Sequence, residues 1–459
     1  MKGMRAMLWG ILLALTLPPF PLGWLAPLPL ALILRAWQGP RPGWAGFWSG
    51  LGFWGVHLIW LPQSFTALFG AWGWVPFVPL VLLEALLWAG LARLLGPRSA
   101  PALVGGWVLL EAARGWGTFA FPWGYVGYAL TEAPGRVLAA LGGVWLLSLV
   151  VLLTAWGLER RRWWVLVPWA LLWVLPLPES LPEPGRTALL VQGALNPLDK
   201  ALGRVDAARY RALTLQGLAA HPGADLVVWP ETAVRGVPPD AERLVGGRAL
   251  VAGVAVYEGG YRNRVVWLEE GRVRAHYDKT RLVPFGEFFP WRGVLGPVYA
   301  FFFQRFGLGD LADTVPGRTL EPLGPYGAYI CYESTFPGVA RALVRGGAQV
   351  LVNVSNDAWF GPSFGGAQHF AMGRIRAVET GRWLLRAGND GITAAIDPYG
   401  RVVAQLEPGA AGYLAAPYAL TSGTTPYVRF GDWALGVAGV LLVWGWVRGP
   451  ARRREALTR

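Results

Sequence analysis

Gly327-Ala328-Tyr329-Ile330-Cys331-Tyr332-Glu333 is a run of small and apolar residues that ends on the chain's single thiol and then on a carboxylate. A continuous apolar run of this kind reads as a strand buried on both faces, as in the parallel sheets of α/β proteins. Asp225-Leu226-Val227-Val228-Trp229-Pro230-Glu231 is built the same way: an apolar strand, a proline, a carboxylate. Working outward, Thr187–Val191, Leu250–Val256, Val265–Leu268 and Gln349–Asn353 read as further strands, with helical stretches at Asp206–Ala220 and Gln368–Leu385. Glu269-Glu270-Gly271 reads as a hairpin turn and Asp397-Pro398-Tyr399-Gly400 as a β-turn. Arg186–Ala419 is therefore an α/β domain, without repeats or low-complexity linkers.

Three polar residues follow strands in this domain: Glu231, Lys279 in Tyr277-Asp278-Lys279, and Cys331. Ligands of α/β sheets bind at strand C-termini. A thiol has a reference pKa of about 8.5 and needs help to act at neutral pH. A carboxylate can take its proton, and a lysine can stabilise a thiolate or an oxyanion. Taken singly, Cys331 could equally be a core cysteine, and Glu231 and Lys279 surface charges. Three strand-end positions in one domain point to chemistry. The single cysteine also excludes an intramolecular disulfide and a cysteine-rich zinc site.

Outside the domain the texture changes. The 459-residue chain is 54% hydrophobic and only 15% charged, with 27 Trp. Apolar segments run Met7–Leu17, Leu22–Ala36, Trp44–Leu61, Trp74–Leu91, Ala102–Ala113, Val137–Leu158, Trp163–Leu177 and Trp433–Val447. With Trp near their ends, they read as about eight transmembrane helices. The first could be a cleaved signal peptide, but no convincing small-x-small site follows it, so a retained helix is expected. The net charge of +13 is carried largely by short basic runs between these segments. Lys2 and Arg5, Arg35 and Arg41, Arg93 and Arg98, Arg160 to Arg162, and Arg448 with Arg452 to Arg454 all fall on one side of seven spans plus one. The positive-inside rule makes that side the cytoplasm and puts Arg186–Ala419 outside. The basic balance thus reflects topology, and nucleic acid is not expected as a partner. The expected organisation is a seven-span bundle over 1–180, the external domain over 186–420, and a final span with a basic tail over 430–459.

Trp229-Pro230-Glu231, the Lys279 segment and Cys331-Tyr332-Glu333 resemble the nitrilase, or carbon–nitrogen hydrolase, superfamily. The resemblance narrows on Tyr277-Asp278-Lys279-Thr280-Arg281-Leu282-Val283-Pro284-Phe285-Gly286-Glu287, Asn353-Val354-Ser355-Asn356-Asp357-Ala358-Trp359-Phe360, Gln368-His369-Phe370, Asn389-Asp390-Gly391-Ile392-Thr393 and Thr425-Pro426-Tyr427. With Glu111-Ala112-Ala113-Arg114-Gly115-Trp116 and Phe121-Pro122-Trp123 in the apolar part, these are similar to the apolipoprotein N-acyltransferase family. Asp390 departs from the second Asn common there. The resemblance implies an αββα sandwich on a helix bundle in the bacterial inner membrane, multi-pass, with the catalytic domain periplasmic. It implies Cys331 as nucleophile, Glu231 as general base and acid, and Lys279 as oxyanion stabiliser, with Glu287, Tyr332 and Glu333 supporting. It implies no metal and no cofactor. The donor would be a phospholipid and the acceptor the α-amino group of a diacylglyceryl apolipoprotein, with membrane lipids as surroundings.

Phe288–Phe306, with Phe301 and Phe302, and the loop of Trp359, Phe360 and Phe364 are crowded with aromatics. They read either as core or as apolar lids through which an acyl chain reaches Cys331. Glu84 and Glu111 fall inside expected spans, and Glu111 and Arg114, three apart, are expected to pair along one helix. Gly50-Leu51-Gly52-Phe53-Trp54-Gly55 fits a dinucleotide pattern but sits in an apolar span, so it is chance. His57, His221, His276 and His369 are scattered, and no G-x-S-x-G elbow occurs. The main alternative is a membrane-anchored amidase with the same residues; a transporter should show paired repeats or broken helices around a midplane site, and the sequence shows neither.

Overall fold

The computed structural model describes residues 2–69, 73–178, 184–196, 207–306, 313–361 and 363–448. The chain forms two compact units. One comprises Met1–Leu177, Ser363–Ala371 and Phe430–Arg459; the other comprises Pro178–Pro362 and Met372–Arg429. Arg452, Arg453 and Arg454 of the expected basic tail lie outside the described residues.

The first unit is helical. Helices lie at Lys2–Ala14, Pro27–Trp37, Pro42–His57, Leu61–Phe69, Trp74–Leu95, Ala100–Ala113, Ala139–Glu159, Leu166–Val174 and Trp433–Val447. Every apolar segment of the sequence thus contains a helix. Among the described residues, however, only Trp74–Leu95 and Pro134–Glu159 are long and apolar enough to cross a membrane by themselves. The expectation of about eight full spans is met only to that extent. The 14-residue helix Ala100–Ala113 rises about 21 Å at 1.5 Å per residue, against a hydrocarbon core of about 30 Å.

Small residues set the packing. A Cβ on Gly10 would lie 2.0 Å from the Ser49 carbonyl oxygen, and one on Gly52 would lie 2.2 Å from that of Met7. The backbones of Lys2–Ala14 and Pro42–His57 therefore touch. On another face of Pro42–His57, a Cβ on Gly46 would lie 2.6 Å from the Trp88 carbonyl oxygen. One on Gly50 would lie 2.8 Å from the Ala85 Cα. The Gly50-Leu51-Gly52 pattern is thus a helix-packing device of the small-residue kind used where helices associate without a hydrophobic drive. Large apolar side chains face outward instead, among them Leu83, Leu86, Val440 and Val443, each more than half exposed.

The buried charges are arranged differently from the sequence expectation. Arg114 caps the end of Ala100–Ala113 and pairs across helices with Glu84 at 3.3 Å, not with Glu111. Its Nη2 also donates to the Trp123 carbonyl at 3.0 Å, and its guanidinium lies 4.6 Å from the Trp54 ring. Glu111 accepts from Val126 N–H at 2.8 Å, from the Ser148 hydroxyl at 2.7 Å and from Trp107 Nε1 at 3.3 Å. The helix ends just before Arg114, so the i,i+3 geometry that would join it to Glu111 gives way to the cross-helix partner.

The second unit contains two sheets. One has the order β11-β1-β2-β3-β4-β5 and the other β10-β9-β8-β7-β6. The strands are β1 Arg186–Gln192, β2 Leu226–Arg235, β3 Ala249–Tyr257, β4 Tyr261–Glu269, β5 Arg272–Asp278, β6 Tyr326–Ile330, β7 Val350–Ser355, β8 Leu384–Gly388, β9 Thr393–Ile396, β10 Val402–Leu406 and β11 Gly412–Tyr418. Period-two alternation feeds two cores. Leu190, Val228 and Val251 face Ile330, Val352 and Leu385 of the other sheet. Their neighbours Leu189, Val227 and Leu250 point the opposite way, to Tyr210 of the helix Ala208–Ala220 and Leu244 of Ala241–Val245. The helix Pro337–Arg345 covers β6. The layers are therefore α, β, β, α.

Both expected turns are present. Glu270 (φ +50°) and Gly271 (φ +68°) are left-handed between β4 and β5, as the primed hairpin turns require. Gly400 N–H donates to the Asp397 carbonyl at 2.9 Å. One expectation fails: the helix of Gln368–Leu385 runs Gly365–Thr380 and stops, with Gly381 at φ +63°. A left-handed glycine ends a helix in this way. Leu384 and Leu385 belong to β8.

Candidate active site

Cys331 is the first residue after β6 and begins the short 3-10 turn Cys331–Thr335. Its φ is +48°, a strained value for a side chain with a Cβ. Glu333 holds that bend. This carboxylate is fully buried, and its Oε2 accepts the Ile330 N–H at 2.8 Å. Its Oε1 accepts the Tyr277 hydroxyl at 2.7 Å, the Thr280 N–H and hydroxyl at 2.7 Å each, and the Arg281 N–H at 3.1 Å. Glu333 therefore fastens the segment that follows Lys279 to the strand that delivers Cys331.

Glu231 lies within β2 where the register with β3 shifts between Trp229 and Val234. The irregularity turns the carboxylate inward. It also brings the Pro230 carbonyl oxygen to 2.3 Å from where a Cβ on Gly253 would sit, so β3 can carry only glycine there. Lys279 is 1% exposed and lies between two carboxylates. Its Nζ donates to Glu287 Oε1 at 2.7 Å and to Glu231 Oε1 at 3.2 Å. Asn263 Nδ2 donates to Glu231 Oε1 at 2.6 Å and to Glu287 Oε1 at 3.3 Å. Val283 N–H fixes Glu287 through Oε2 at 2.8 Å.

The charges follow from this geometry. Burial alone would drive Lys279 toward its neutral form, but Glu231 and Glu287 override it and hold the ammonium well above the ordinary lysine range. Glu287 is pushed up by burial, which Lys279 opposes and Glu231 reinforces. Burial, and then Glu231, push the Cys331 thiol far up, while Lys279 and a hydrogen bond with Ser355 pull it down. The resting group is a thiol next to a permanent cation.

The sequence matches two families: the Carbon-nitrogen hydrolase family over residues 245–423 and the Apolipoprotein N-acyltransferase N-terminal domain over residues 9–157. An apolipoprotein N-acyltransferase of Pseudomonas aeruginosa (strain LESB58) is 35% identical, over 97% of this chain and 96% of that relative. The chain belongs to the apolipoprotein N-acyltransferase family. A family member of Methylococcus capsulatus is 34% identical over 96% of this chain and 95% of its own. Among solved structures, an amidase from Nesterenkonia sp. is similar at 21% identity and a TM-score of 0.36, covering 55% of this chain and 95% of that one.

The structure places the remaining expected residues of this apolipoprotein N-acyltransferase family member as follows. Tyr332 is buried, its ring 5.2 Å from that of Phe336. Trp359 and Phe360 are half-buried in the turn Asp357–Phe360 that follows β7. Phe301 (64% exposed) and Phe302 (37%) lie on the helix Arg292–Phe306, whose Phe303 packs inward on Phe289. This segment is neither wholly core nor wholly exposed: one face packs and the other is bare.

Two groups escaped the sequence reading. Asn263 is the shared donor to both carboxylates, yet it sits as a single amide in the polar run Tyr261–Arg264. Its signal is position alone, at the strand end level with Lys279, whose N–H donates to the Asn263 carbonyl at 2.9 Å. Arg386 is a fully buried guanidinium in β8 that binds Asn353 and Asp357, and reaches the Ser355 hydroxyl at 3.3 Å. An arginine inside an apolar run is a detectable signal, because such residues are almost never buried without partners.

Proposed function

We propose that this member of the family transfers an acyl chain from a phospholipid to the α-amino group of the N-terminal diacylglyceryl-cysteine of apolipoproteins, through a thioester on Cys331. The observation that carries the reading is the buried Lys279 bridging Glu231 and Glu287 beside the only thiol in the chain. Because the resting thiol is held protonated, its proton leaves as the sulfur attacks the ester carbonyl, and Glu231 is the acceptor. The Lys279 ammonium stabilises the oxyanion that forms. Glu231 then returns the proton to the departing lysophospholipid hydroxyl, leaving a thioester. The acceptor amine attacks next, and Glu231 takes its proton and passes it to the departing sulfur of Cys331 as the amide forms. Glu287 and Asn263 keep Lys279 and Glu231 in position, Glu333 and Tyr332 shape the elbow, and no metal or cofactor takes part.

The same reading makes the protein a multi-pass enzyme of the bacterial inner membrane, with about eight helical passes and both ends in the cytoplasm. Its domains are the bundle 1–180, the periplasmic catalytic domain 186–420 and a closing helix with a basic tail over 430–459. The outward apolar side chains of the helical unit support it, since soluble proteins rarely expose such surface. Phe301 and Phe302, with Trp359 and Phe360, serve as apolar lids for the acyl chain.

Intact mass of the purified chain mixed with phospholipid tests the assignment. One added acyl group is expected on the wild type and none on Cys331→Ala. Acylation of Cys331→Ala, or none of the wild type, overturns it.

A further inference from the structure

A groove of 710 Å³ lies between the helices Pro42–His57 and Trp74–Leu95, and none of the catalytic residues lines it. Its floor and sides include Trp44, Phe47, Leu86 and Gly90, and Arg41 and Arg93 complete it. It exists because the seam is built from glycines: a Cβ on Gly90 would meet nothing within 4 Å, and Gly43 lies against the Arg93 stem. Trp44 and Leu86 are each more than half exposed, so the apolar part is open to its surroundings. Both arginines are exposed, and no acidic residue lines the groove. An apolar trough with two guanidiniums at one end matches a molecule with an acyl chain and an anionic head. In the sequence both arginines fall in the basic loops assigned to the cytoplasmic side, where basic pockets between membrane helices take anionic headgroups.

We propose that this groove binds one anionic phospholipid of the cytoplasmic leaflet, its phosphodiester between Arg41 and Arg93 and an acyl chain along Trp44, Phe47 and Leu86. The inference rests on the membrane reading above. It adds to that reading a lipid site on the side of the bundle opposite to the donor, with anionic selectivity. The alternative occupant of the same chemistry, free phosphate, would use the arginines without the trough.

The test is native mass spectrometry of the full chain released from detergent, with phosphatidylglycerol or phosphatidylcholine added. The wild type is expected to retain one more phosphatidylglycerol than Arg41→Gln/Arg93→Gln. Its preference for phosphatidylglycerol over phosphatidylcholine should exceed that of the variant by about thirtyfold, the combined effect of two basic residues at a lipid surface. Gly90→Leu fills the trough without touching the charges and removes a helix-weakening glycine; it is expected to lose the same lipid. Equal retention by the wild type and either variant overturns the site. Displacement of the lipid by excess inorganic phosphate overturns the lipid as occupant. Flotation with liposomes separates the two levels. A chain that fails to float with any vesicle refutes the membrane reading itself, whereas one that floats but shows no variant-sensitive lipid refutes only the groove.

Discussion

Replacing Glu333 by Gln changes one oxygen for an NH2 in a fully enclosed site, and the cost can be worked from its five donors. Four of them converge on Oε1 and the fifth, Ile330 N–H, meets Oε2 at 2.8 Å. With the amide oxygen at the Oε1 position, four bonds survive but become neutral, at a loss of roughly half a kcal/mol or more each. The amide nitrogen then faces Ile330 N–H, and that buried donor is left without an acceptor, at about 1–3 kcal/mol. The sum is about 4 kcal/mol, concentrated where the Lys279 segment joins the Cys331 strand. Local opening there should become about a thousandfold easier. Hydrogen exchange of the Thr280 and Arg281 amides reads this directly, because both donate to Glu333 in the native fold. The same variant should acylate Cys331 much more slowly. Exchange at these two amides unchanged from wild type would refute the clamp, whatever happened to activity.

Lys279→Met should destabilise the catalytic unit by about 3–5 kcal/mol, because it leaves two carboxylates buried without their cation. Adding Glu287→Gln should recover much of that stability in denaturant titrations while acyl transfer stays at least about a hundredfold down, and recovery of both together would argue against the oxyanion role. Iodoacetamide labelling, which reports only Cys331, should rise with pH to an inflection above the ordinary thiol range, since burial and Glu231 raise the thiol. Removing the Glu231 charge lowers the thiol pKa, so Glu231→Gln should label faster than wild type at pH 8 although it transfers acyl groups poorly. Labelling unchanged from wild type would mean that the Glu231 charge does not act on the thiol. Reporter fusions after Leu177 and after Arg459 should mark opposite faces of the membrane, and labelling of one face by both would undo the topology.

Strands buried on both faces were legible where most of their residues are apolar: β1 to β4, β6 and β7 each contain a run of apolar and small residues. Of the strands that escaped, β5 and β10 lack that constraint. β5 is an edge strand whose arginines face solvent, and β10 alternates half-exposed with exposed positions. β8 escaped for a different reason: its arginine is held by Asn353 and Ser355 of β7 and paired with Asp357 just beyond it, partners that no local pattern reveals. Cys331 and Glu231 could be singled out because each follows a legible apolar run, whereas Lys279 follows β5 and stood out through its segment's resemblance to the family. The burial of all three could not be read from the sequence, since it depends on the mutual approach of three segments and on Asn263. In the helical part the apolar runs gave the helices, but Arg114 chose its partner across the bundle and not along its own turn.

Acyl transfer itself is tested most directly by a single-turnover experiment on the intact enzyme. The protein is loaded with labelled phospholipid, freed of excess donor, and given a diacylglyceryl-cysteine peptide with a free α-amino group. A thioester shielded from water should persist until the amine arrives, as expected of a covalent two-stage reaction. The label should then pass from Cys331 to the peptide as an amide, and an N-acetylated peptide should receive none. Release of the label as free fatty acid, at the same rate with or without the peptide, would contradict the account and leave an anchored hydrolase in its place.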